Sequence, residues 1–64
     1  MSDFKSRLLE EQTTLSERVT KLDAFLPVMT EHNVEEAQQE LLKKQVVVMK
    51  EYNDILVKRI ELLG

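Results

Sequence analysis

Three side chains in the second half of the 64-residue chain recur at a spacing of seven: Gln45, Tyr52 and Arg59. Steps of seven return to one face of a helix, so the three would stand in a line. That line suits a phosphorylated or aromatic ligand. Arg offers a planar five-donor fork, Tyr a stacking face and a hydroxyl, and Gln both a donor and an acceptor. The same row is equally the polar flank of a coiled coil, with Tyr52 packing its ring and Arg59 laying its stem over apolar neighbours. A second row, Phe4, Glu11, Arg18 and Phe25, sets two charges between two aromatics in the first half. Those charges either fix register and partner choice or are simply solvated.

The remaining residues assemble no catalytic or metal-binding set. His32, the one histidine, stands among Glu31, Glu35 and Glu36, and a single imidazole with flexible carboxylates is not a fixed ligand set. Ser2, Ser6, Ser16 and the pair Thr13-Thr14 lie along a segment that ends short of that histidine, so no hydroxyl has a base beside it. The sole glycine is Gly64, which leaves no glycine-rich phosphate loop. A non-enzyme without metal or cofactor is expected.

The elements that would carry these rows follow from composition. With 42% apolar and 33% charged residues, one glycine, one proline and no cysteine, the chain is too apolar for disorder and too poor in turn residues for a many-stranded sheet. No disulfide can reinforce a core that, at this length, buries only about 60% of the unfolded surface. The net charge of −3 supplies no general attraction for a nucleic-acid polymer. No run approaches the ~20 apolar residues of a membrane span, and the start, Met1-Ser2-Asp3-Phe4-Lys5, lacks a signal peptide's basic and apolar blocks. A cytoplasmic location without membrane contact is expected, and Met1 reads as the start of a complete natural chain.

Helix breakers cluster only between Pro27 and Asn33. On one side Phe4, Leu8, Leu15, Val19, Leu22, Phe25 and Leu26 fall at steps of three, four or seven. The pattern predicts an all-α fold, one hairpin spanning 1–64, with a helix over 3–26, a loop over 27–33 and a helix over 34–63. Pro27 would stop the first helix, and Asn33 with Glu36 would form a capping box for the second.

The second helix carries two adjacent apolar rows, Val34, Leu41, Val48, Ile55, Leu62 and Leu42, Met49, Leu56, Leu63. Val46, Val47, Val57 and Ile60 widen that arc beyond what one helix can cover, and the β-branched run Val46-Val47-Val48 needs packing to stay helical. Self-association into a homo-oligomeric helical bundle is expected, with Leu41, Val48, Met49, Ile55, Leu56 and Leu62 at the interface.

The string Glu40-Leu41-Leu42, Gln45, Met49, Tyr52, Ile55-Leu56, Arg59-Ile60 resembles a family of short helical-hairpin proteins of tailed phages and prophages, first named from crAss-like phages. Arg7-Leu8, Glu10-Glu11, Lys21-Leu22, Ala24-Phe25, Glu35-Glu36 and Gln38-Gln39 fit the same pattern, so the resemblance covers roughly residues 4 to 61. That family is in turn more distantly similar to the hairpin of phage anti-defence sponges, which form hexamers and sequester cyclic oligonucleotides or cyclic ADP-ribose isomers. The resemblance implies a phage-encoded homo-oligomer that holds a cyclic nucleotide immune signal between subunits, without catalysis, in the bacterial host cytoplasm. In that role Arg59 would take phosphate oxygens, Tyr52 would stack on a base or ribose, Gln45 would read a polar edge, and Lys50 or Arg18 would complete the neutralisation. The alternative is a coiled-coil adaptor that binds a protein partner through the uncovered apolar arc.

Overall fold

Uninterrupted helix-forming sequence carries α1 from Ser2 to Phe25 and α2 from Glu36 to Leu63. The computed structural model describes residues 2–63, and the expectation attached to Met1 falls outside them. The two helices run antiparallel in a rod of 47 × 15 × 13 Å. Gln12 at one level donates to Asn53 (3.1 Å), and further along the seam Asp23 pairs with Lys50 (3.0 Å). Among the described residues no helix is long and apolar enough to cross a membrane.

The connection differs from the expected loop. Leu26–His32 form a 3-10 helix with Pro27 in its first turn, where the missing N–H costs nothing and the fixed φ already suits a helical start. Pro27 therefore converts one kind of helix into another. Asn33 is the corresponding correction: it does not cap the N-terminus of α2 but closes the 3-10 helix in the left-handed conformation, φ 57° and ψ 36°. The Asn33 N–H reaches the Thr30 carbonyl at 3.2 Å and the Val34 N–H reaches that of Met29 at 3.3 Å, the paired bonds of a Schellman closure. α2 begins at Glu36, two residues later than expected, and the Gln39 side chain ties its first turn to the Val34 carbonyl at 2.8 Å.

The core is a single thread along the seam. Leu8 and Leu15 of α1 enclose Leu56 of α2, which has no exposed surface, and Val19, Met49 and Ile60 pack against them. Val46 is buried on the same side of α2, and Met29 of the 3-10 helix is buried at the closed end. Of the two adjacent rows on α2, the one containing Met49 and Leu56 thus faces α1. The other points away: Leu41, Val48, Ile55 and Leu62 are 58, 61, 54 and 87% exposed. Met49 and Leu56, expected at an interface between chains, lie in the seam within one chain because α1 reaches that row first.

Leu56→Ala should cost about 2–5 kcal/mol, the usual range for emptying a fully buried leucine site. In a chain with so few buried side chains that loss removes the cooperative unfolding transition. Val57→Ala, at a partly exposed position, should shift the midpoint little. Urea denaturation followed by circular dichroism at fixed protein concentration compares the two.

Candidate ligand-binding trough

Each of the two seven-step rows singled out in the sequence faces the other. Because the helices are antiparallel with equal spacing, every step of seven up α1 meets a step of seven down α2. Arg59 lies over the Phe4 ring, 6.0 Å from its centroid. Tyr52 donates its hydroxyl proton to the Glu11 carboxylate. Arg18 and Gln45 line one cavity together. The rows form the two walls of a trough running beside the hydrophobic seam.

Two cavities open along it. One, about 350 Å³, is lined by Arg7, Glu10, Glu11, Thr14, Leu15, Arg18 and Tyr52. The next, about 370 Å³, is lined by Arg18, Lys21, Leu22, Phe25, Gln45 and Met49. Arg18 belongs to both and stands at their junction. The α1 wall follows from helix geometry, since residues 7, 11, 14, 18, 21 and 25 recur at three- and four-residue steps.

The trough lining carries one more cation than carboxylate, in a chain that is acidic as a whole, and the surplus lies in the second cavity, where Arg18 and Lys21 face no acid. Arg7, Arg18 and Lys21 face it against Glu10 and Glu11, whereas the whole chain carries −3. The Tyr52 hydroxyl donates to one oxygen of the Glu11 carboxylate, which keeps its charge. Among the described residues neither Arg7 nor Arg18 has a salt-bridge partner; the ion pairs are Lys43 with Glu40 and Lys50 with Asp23. Two uncommitted guanidiniums beside an anchored phenol offer charge-assisted forks and a stacking face to one anion.

Three of the five expected ligand residues, Arg18, Gln45 and Tyr52, line the trough. Arg59 caps Phe4 at the open end of the hairpin instead. Lys50 sits two residues from Tyr52, hence about 200° around the helix, and is held by Asp23 on the opposite flank. Arg7, Glu10, Thr14 and Lys21 were not singled out from the sequence. Their signal was present, because they share the face of Glu11 and Arg18, but it appears only when the α1 row is taken at three- and four-residue steps. Gln45 leans its amide on the Met49 sulfur at 3.8 Å. His32 stacks against Phe25 with ring centroids 5.5 Å apart, beside the closed end. Among the described residues no three His, Asp or Glu side chains converge as a metal site.

Fold and trough together define a small all-helical hairpin with Arg7, Arg18, Lys21, Gln45 and Tyr52 along one flank of its seam. The chain belongs to the Sequestin family, whose profile matches residues 2–62. No curated protein and no solved structure matches it.

The Tyr52–Glu11 hydrogen bond is solvent-exposed, so its coupling should be about 1 kcal/mol or less. A double-mutant cycle of Tyr52→Phe and Glu11→Gln, read by thermal unfolding, should return a coupling of that size.

Proposed function

We propose that the protein is a phage-encoded, non-catalytic sponge: a homo-oligomer that sequesters a cyclic nucleotide immune signal in the host cytoplasm. The observation that carries this reading is the position of Arg18, an unpaired guanidinium shared by two adjoining cavities with Tyr52 on one side and Gln45 on the other. Arg18 and Arg7 take the phosphate oxygens in place of Arg59, Tyr52 stacks on a base or ribose, and Gln45 reads a polar edge. The family name fits sequestration of a ligand. No bond of the ligand is broken, and none needs to be: binding removes the signal from solution by mass action.

An adaptor that engages a foreign protein through Leu41, Val48, Ile55 and Leu62 is the second reading, favoured by the exposure of that stripe. The two separate by mutation. In a sponge Arg18→Ala removes function and leaves the fold intact; in an adaptor Val48→Asp removes it and Arg18→Ala has little effect.

The direct test is thermal unfolding at fixed protein concentration against cyclic dinucleotides, cyclic trinucleotides and cyclic ADP-ribose isomers. One ligand class at 100 times its Kd should add about 2.7 kcal/mol, raising Tm by roughly ten degrees in so small a domain. Arg18→Ala should lose the shift, and the ligand recovered after heat denaturation should be chemically unchanged. An unchanged Tm across the panel overturns the sponge, and recovery of a cleaved product overturns sequestration.

A further inference from the structure

The exposed row Leu41, Val48, Ile55 and Leu62 runs nearly the length of α2. The chain exposes 5077 Å², whereas a compact monomer of 7.5 kDa is expected to expose about 4,200 Å². The rod shape, 47 × 15 × 13 Å, accounts for extra surface of this kind, and the exposed apolar row lies along the rod. A continuous apolar row at a constant seven-residue spacing is covered by another helix of the same spacing, and α2 is itself such a helix.

The charges beside the row select its partner and register. One flank carries Lys44, Glu51 and Lys58; the other carries Gln38, Gln45, Tyr52 and Arg59. An antiparallel copy with the two-fold axis through Val48 sets Leu41 against the partner's Ile55 and Val48 against the partner's Val48. It also places Lys44 level with the partner's Glu51, twice by symmetry, and Gln45 level with the partner's Tyr52. No like charges face each other. Moving the axis midway between Val48 and Ile55 sets Lys44 against the partner's Lys58 and Glu51 against the partner's Glu51. A parallel copy sets Lys58 beside the partner's Arg59.

We propose that a second copy of this chain covers the stripe as an antiparallel α2–α2 pair centred on Val48, held by two Lys44–Glu51 ion pairs. This rests on the assembly in the reading above and adds its geometry. The symmetry puts both troughs on one side of the pair. Gln45 and Tyr52, about 10 Å apart along one helix, are brought side by side from opposite chains.

The chain contains no cysteine, so single-cysteine variants at these exposed positions report without background, and a disulfide forms only where Cα atoms come within about 7 Å. Under mild oxidation Val48→Cys should link to itself. Leu41→Cys and Ile55→Cys should each stay unlinked alone and link when mixed. In the Val48→Cys background Lys44→Glu should lower the linked yield several-fold, and adding Glu51→Lys should restore it. Self-linking of all three variants overturns the pairing in favour of a parallel one. Linking of Val48→Cys only with Ile55→Cys overturns the register, and no linking in any variant overturns the second copy as occupant. Nucleotide-induced thermal shifts read none of these outcomes, so sequestration and pairing fail separately.

Discussion

α1 can cover only one side of α2, and α2 is apolar on more than one side. That limit organises the molecule. The row through Met49 and Leu56 takes the place against Leu8 and Leu15, which leaves the adjoining row of Leu41, Val48, Ile55 and Leu62 in solvent. The polar row Gln45, Tyr52, Arg59 lies at the border of the two, so its side chains are close enough to α1 to be positioned by it and open enough to meet a ligand. A chain of this size has little stability to spare. In the proposed pair, covering the outer row would contribute to stability as well as to assembly.

The trough brings cations of an acidic chain together along one flank of the seam. Glu11 accepts the Tyr52 hydroxyl's hydrogen bond on one oxygen and keeps its charge. The nearby guanidiniums of Arg7 and Arg18 keep their forks open, while Lys50 and Asp23 satisfy one another on the opposite flank. Charge is thus sorted by helix face, and local potential is set by neighbours within a Debye length more than by the sum over the chain.

The helices and both seven-step rows were legible in the sequence because period and amphipathicity are local signals. Which α2 row faces α1 was not: two adjacent rows of similar hydrophobicity give no local reason to prefer either, and the choice falls to the antiparallel register. Asn33 is ambiguous in sequence for a related reason, since Asn serves both as an N-cap and in the left-handed closure of a preceding helix. Pro27 marked the end of α1, but proline forbids only helix interiors and permits the 3-10 helix that follows. The two rows were visible singly. That Glu11 meets Tyr52 and Arg18 meets Gln45 needed the rows to be set antiparallel against each other, which also brings Arg7 and Lys21 into view as trough residues.

In the proposed pairing the outer face of α2 belongs to a second copy. Sedimentation equilibrium over a concentration range from about 1 µM to 1 mM, with helicity measured on the same samples, tests it most directly. The pairing predicts a species of about 15 kDa, twice the 7.5 kDa chain, that loses helicity in step with dissociation on dilution. A 7.5 kDa monomer that stays fully helical over the whole range would contradict it.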